Sequence, residues 1–199
     1  VLFDPATGEM TFVPATFAVD NDGKTQVTLK RTGNSIYTVV TASKTFADIQ
    51  GHWAQKEIER LASKALIRGM TEDQFAPNAK ITRAQFAVIL AQALGLTKQT
   101  SASSSFSDIA ATDWYAGYVG AAAKAGLISG FSDGTFRPND VVTREQMAVM
   151  IASALKFAGQ SKDVSGKEQE LLAKFADRDS ISGWAKSAVA QAVELGIIN

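Results

Sequence analysis

The sequence predicts a mainly α protein of tandem helix–loop–helix repeats, led by a small antiparallel β segment. Three observations predict it. Phe-small-Asp recurs ahead of each of the chain's three tryptophans, in FADIQGHWA from Phe46, FSDIAATDWY from Phe106 and FADRDSISGWA from Phe175. The segments around these landmarks are apolar at helical spacing. Residues 1–44 instead carry short β-prone runs parted by turn residues.

The lead-in comes first. Its runs Thr11–Val19, Val27–Arg31 and Ile36–Thr41 alternate with Asn21-Asp22-Gly23 and Thr32-Gly33-Asn34, which supply turn chemistry. A three-stranded meander of this size is marginal alone, so it is expected to rest on something or to extend a larger upstream β domain.

From Phe46 the chain repeats. Thirteen residues after Trp53, Trp114 and Trp184 come the apolar pairs Leu66-Ile67, Leu127-Ile128 and Ile197-Ile198. Gly126 and Gly196 precede the pair in the second and third copies, while Gly69 and Gly130 follow sixteen residues past their tryptophans. QFAPNAKITRAQ and TFRPNDVVTREQ then place Arg83 and Arg144 thirty residues after theirs. The predicted divisions are a β lead-in at 1–44, a first repeat at 45–98, a second at 105–159, and a linker helix with a truncated third repeat at 160–199.

Within a repeat, Ile58, Leu61, Ala62 and Ala65 mark the inner face of a first helix. Phe86, Ile89, Leu90, Ala93 and Leu94 mark a second, as do Met147, Met150, Ile151, Ala154 and Leu155. Burying each large side chain is worth ~1.5–3 kcal/mol. One helix pair cannot cover its own stripe, so the repeats must pack on one another. Thr97–Ser105 (TKQTSASSS) reads as a polar linker, and Leu171, Leu172 and Phe175 within and beside Gln160–Ala176 predict a short extra helix.

Composition narrows the chemistry. Twenty basic residues balance twenty acidic ones, so bulk charge gives no reason to expect nucleic acid or an anionic membrane. No run approaches the ~18 apolar residues of a membrane span. Cysteine is absent, which removes disulfides and thiolate chemistry and suits an oxidising location. The chain opens at Val1 with no basic-then-apolar leader, so an export signal is expected to have been removed or to lie outside this piece. His52 has no echo in the other repeats, and Ser132-Asp133-Gly134 reads as a turn rather than a metal loop. The recurrent carboxylate appears once per repeat in equivalent settings, with no distinguishable acid and base, so no catalytic site and no cofactor are expected.

The repeated phrase ITRAQF/VTREQM poses the functional question. Thr82 with Gln85, and Thr143 with Gln146, have the form of capping boxes. Arginine one step inside the helix opposes its dipole, at about 0.3–1 kcal/mol when exposed. Two readings follow. Arg83 and Arg144 pair with Asp48, Asp108 or Asp177 to join repeats, or they combine with helix N–H groups as anion sites. The tryptophans are expected to pack at helix starts with an edge left for ligand, and the aspartates to serve loops or caps.

Phe-x-Asp, Trp-Ala, the apolar-Gly turn, Phe-x-Pro and Ile-Thr-Arg-Ala-Gln resemble the S-layer homology domain over about 46–199. FVPATF and TGNSIYTVV also resemble segments found ahead of such triplets in bacterial surface proteins. The resemblance implies a pseudo-threefold bundle with ligand grooves between repeats. It implies anchoring, outside the cell, to the wall or S-layer of a Gram-positive-type bacterium, with self-association as a further property. The ligand implied is a peptidoglycan-linked secondary polysaccharide, commonly ending in pyruvylated N-acetylmannosamine. Carried over by motif, Arg83 and Arg144 would meet the pyruvyl carboxylate. Asp48, Asp108, Trp53 and Trp114 would line the sugar, with Asp177 and Trp184 at the same positions of the third repeat and Gly69 and Gly130 admitting the backbone. Gln85 and Gln146 depart from the family's usual glutamate, Glu145 takes its alanine place, and the third repeat stops at Asn199 before its arginine motif. Replacing Arg83 or Arg144 is expected to weaken wall binding and to spare the fold. An assembly module with structural arginines is the competing reading.

Overall fold

The computed structural model describes residues 1–8, 10–29, 35–99 and 106–198, in two compact units, Val1–Ala79 and Lys80–Asn199. The division does not follow the sequence repeats. It cuts the first repeat between its loop and its second helix.

The first unit holds the strands β1 (Leu2–Phe3), β2 (Met10–Thr11), β3 (Ala15–Val19), β4 (Thr25–Leu29) and β5 (Ile36–Tyr37). They form a three-stranded antiparallel sheet in the order β2-β1-β5 and a separate β3–β4 hairpin, not one meander. The predicted run Thr11–Val19 divides around Pro14, which has no N–H to give to a ladder. At the hairpin tip Asp20 Oδ1 accepts from the N–H groups of Asp22 (3.0 Å) and Lys24 (2.8 Å). The predicted Thr32-Gly33-Asn34 turn and the end of the Val27–Arg31 run lie outside the described residues, as does most of the TKQTSASSS linker.

Helix α1 (Gln55–Ser63) follows, over a small core of Phe46, Ile49 and Ile58. Only part of its predicted stripe is covered, because Leu61 remains 38 % exposed. The helix ends through Ala65 in the left-handed region (φ 57°), where the other repeats use Gly126 and Gly196.

The second unit holds α2 (Arg83–Ala93), α3 (Ala116–Lys124), α4 (Arg144–Phe157), α5 (Glu168–Leu172) and α6 (Lys186–Glu194). The extra helix between repeats is α5, whose Leu172 is buried. Helix α2 lies on α3, and α4 lies on α6. In each pair the second helix of one repeat packs on the first helix of the next. The main core joins Ala84, Ala87, Val88 and Ala91 of α2 to Val119, Ala122, Leu127 and Phe136. The buried line of α2 is thus made of small residues, which let the backbones approach. The predicted Phe86, Leu90 and Leu94 are half-buried along its margin, and Ala93 is exposed. Helix α4 serves two cores. Met150 and Ala154 enter the first, and Ala148 enters a second with Val164, Leu172, Ala185, Val189 and Ala190.

Candidate functional site

Both capping boxes form as predicted. Thr82 accepts from Gln85 N–H (3.2 Å) and Gln85 Oε1 accepts from Thr82 N–H (2.8 Å). Thr143 and Gln146 repeat the exchange at 3.2 Å in both directions. The two arginines one step inside these caps then part company.

Arg83 is buried, at 6 % exposure. Its Nε donates to Phe136 O (2.8 Å) and an Nη to Ser129 O (3.3 Å). The guanidinium lies over the rings of Phe136 and Phe131, 4.6 and 4.9 Å from their centroids. Among the described residues it forms no ion pair with Asp48, Asp108 or any other carboxylate. Burial pushes its pKa below the ordinary arginine value, with Asp140 acting the other way. An arginine so placed stays charged, so it must be held by hydrogen bonds.

The start of α2 is equally committed. Arg83 N–H donates to Asp140 O (2.9 Å) and Ala84 N–H to Pro138 O (3.0 Å). With Gln85 N–H on the threonine cap, the first three donors of the helix are all used, which leaves no anion cradle there.

The aspartates of Phe-x-Asp explain how that receiving loop is held. Asp108 accepts from the N–H groups of Phe136 (2.8 Å) and Arg137 (2.7 Å), one bond to each carboxylate oxygen. Asp48 does the same for Phe75 (2.8 Å) and Ala76 (2.6 Å). These clamps fix Arg137 and Ala76 in the left-handed region, at φ 57° and 59°. Gly69 and Gly130 complete the loops by leaving room. A Cβ on Gly130 would stand 2.6 Å from both the Phe106 ring and Thr135 O, and one on Gly69 2.5 Å from the Phe46 ring and Gln74 O. The closeness these glycines permit is therefore internal to each loop.

Arg144 has none of Arg83's partners. It is exposed, and neither its guanidinium nor its ion-pair reach meets a partner among the described residues. The N–H groups of Arg144 and Glu145 likewise carry no bond among the described residues. Both residues line an open cleft of about 460 Å³, with Thr143, Phe175, Asp177, Ser180 and Ile181 among the others. Glu145 crosses it, accepting from Ser182 N–H (3.0 Å), which gives the departure from alanine a structural use. Asp177 lines the cleft and clamps no loop among the described residues. Counting from Trp184, the counterparts of Phe131 and Phe136 would fall beyond Asn199.

The tryptophans correct the core-packing expectation. Trp53, Trp114 and Trp184 are 89 %, 64 % and 62 % exposed. Helix starts are closed by neighbours instead, as where His52 Nδ1 accepts from Ala54 N–H (3.2 Å). Asp133 holds its turn through Thr135 and Arg137, and no metal-binding cluster occurs among the described residues. Arg137 was missed from the sequence because its repeat-1 counterpart is Ala76. It lies 4.0 Å from the centroid of Phe131 and pairs with Asp133.

Arginine-led helices that each engage the following repeat define a tandem helical array whose motifs serve its joints and clefts. The chain belongs to the S-layer homology domain family, whose model matches residues 45–87, 105–148 and 174–199. It is similar to an amylopullulanase of Thermoanaerobacterium thermosulfurigenes, at 39 % identity over 99 % of this chain and 10 % of the relative. It is also similar to exoglucanase XynX of Acetivibrio thermocellus (42 %, covering 81 % of this chain and 14 % of the relative). S-layer protein sap of Bacillus anthracis matches at 34 % identity, covering 80 % and 19 % respectively. The chain thus spans a tenth to a fifth of these relatives.

Proposed function

We propose that the chain is a non-catalytic anchoring module that holds a larger surface protein to the bacterial cell wall, and that the cleft at Arg144 is its glycan site. The observation that carries this reading is Arg144 itself, exposed beside two unbonded N–H groups at the start of a fourteen-residue helix. Guanidinium and helix dipole together suit a carboxylate. Asp177 and Ser180 add hydroxyl-binding chemistry for a sugar. A pyruvate ketal on N-acetylmannosamine presents both. Family membership and the S-layer relative support anchoring, and in the enzyme relatives catalysis would reside in the remaining length.

At Arg83 the competing structural reading is the better one, because its guanidinium and the first N–H groups of α2 are spent on the next repeat's loop. Calorimetric titration with pyruvylated N-acetylmannosamine, beside the same sugar without pyruvate, tests the assignment. Binding of the pyruvylated sugar alone, lost in Arg144→Ala, is expected. Equal binding of both sugars, or unchanged binding in Arg144→Ala, would overturn it.

A further inference from the structure

Among the described residues the β3–β4 hairpin contributes to none of the hydrophobic cores. It forms a two-stranded sheet of its own. Ala15 lies opposite Leu29, Phe17 opposite Val27 and Val19 opposite Thr25 on one face, with Thr16 opposite Thr28 and Ala18 opposite Gln26 on the other. The first face is apolar, yet Phe17 and Val19 are 65 % and 71 % exposed. A lone two-stranded hairpin is marginal in water, and a sheet needs three or more strands, or a packed cover, to hold itself.

The outer edge of β3 is open in its backbone as well. Asp20 N–H donates to Lys24 O (2.9 Å), which closes the hairpin with a hydrogen-bonded pair. Bonded pairs alternate along an antiparallel ladder, so those of Ala18 and Thr16 follow. Ala15, Phe17 and Val19 then turn their N–H and C=O groups away from β4, and nothing bonds these groups among the described residues. Proteins commonly guard such an edge with a charge, a proline or a bulge. Neither ATFAV nor TQVTL holds a charged residue or a proline, and their pairing runs without a break.

We propose that the outer edge of β3 pairs antiparallel with the same edge of a second copy of this chain. A two-fold axis at Phe17 sets the two Phe17 residues opposite each other and each Ala15 opposite a Val19. These are the residues whose backbone groups face outward, so each finds a complement in the other copy. The flanks agree. Asp20 falls opposite Pro14, so no like charges meet, and Pro14 sits where the pattern asks for no N–H. The edge is that of β3 because its side chains are the exposed ones, whereas Val27 and Leu29 of β4 are half-buried. The product is a four-stranded sheet whose apolar face is continuous across both copies. This inference stands apart from the glycan reading, since it uses no residue of the Arg144 cleft.

Sedimentation of the whole chain over a concentration series tests it. The contact is a single strand edge, so a weak dimer, dissociating at about 10 μM to 1 mM, is expected. Amide exchange at Ala15, Phe17 and Val19 should slow about tenfold as the dimer fills. Phe17→Lys should abolish both effects by opposing two cations across the axis. Thr28→Lys, on the polar face of the far strand, should leave them intact. Because the chain has no cysteine, Phe17→Cys checks the register directly. Oxidation is expected to link two Phe17→Cys chains, whose paired Cα atoms would stand ~5.5 Å apart, and to leave Val27→Cys chains unlinked. A chain that sediments as a monomer throughout this range overturns the second copy as occupant. A dimer that survives Phe17→Lys, or that links through Val27→Cys in preference to Phe17→Cys, overturns the β3 edge.

Discussion

Arg83 and Arg144 occupy the same place in the same motif, behind the same threonine cap, yet they meet opposite surroundings. Arg83 enters a finished loop, and carbonyls, rings and helix donors close around it. Arg144 stands at the mouth of a cleft in which its neighbours are an aspartate, a serine and a phenylalanine. A cationic helix start can stitch two repeats together, as Arg83 does, or stand exposed at a cleft, as Arg144 does.

The sharpest break of this comparison is stability. Arg83→Ala strands the buried Phe136 carbonyl, frees that of Ser129 and removes a ring-stacked cation, so a loss of about 2–4 kcal/mol is expected in denaturant unfolding. Arg144→Ala at an exposed site should stay within about 0.5 kcal/mol. Equal losses would mean that the two sites are alike after all. Gly130→Ala comes next, at about 1–3 kcal/mol, because its Cβ would press on both a ring and a backbone oxygen. Gly183→Ala serves as control, since a Cβ there meets nothing within 4 Å.

Ala65→Gly works in the other direction. It places glycine at a left-handed residue, as the second and third repeats already do, and should raise the stability of the first unit by about 1 kcal/mol. The gentlest probe is pH. The Phe75 N–H bond, followed by that of Ala76 and opposed by partial burial, holds Asp48 below its ordinary value of 3.8. A carboxylate depressed in the fold stabilises it above the unfolded value and loses that effect as pH falls through the folded one. The Phe75 loop should thus loosen below about pH 4, and Asp48→Asn should flatten this dependence in a thermal-melt series.

Much of this molecule was legible in the chain. The repeat spacing located the starts of α1, α2, α3, α4 and α6, the capping boxes formed with their predicted partners, and Leu171, Leu172 and Phe175 foretold α5. Each rests on neighbours within a few residues, where chain geometry alone decides who can meet. Phe-x-Asp was visible as a pattern, but its purpose was not, since Asp108 reaches backbone donors twenty-eight and twenty-nine residues away. The tryptophans misled for a related reason. A large ring at a recurring place suggests burial, but the α2–α3 core, with the same small-residue economy, closes through Ala84, Ala87 and Ala91 and leaves the indoles outside.

The sequence by itself determined the local units, their period and their caps, because helix periodicity and capping are read from residues three or four apart. Only the tertiary structure decided which half of a repeat packs on which. An apolar stripe states that a face must be covered and says nothing of its cover. That choice brought Arg83 onto the next repeat's carbonyls, and no spacing within the motif announces it.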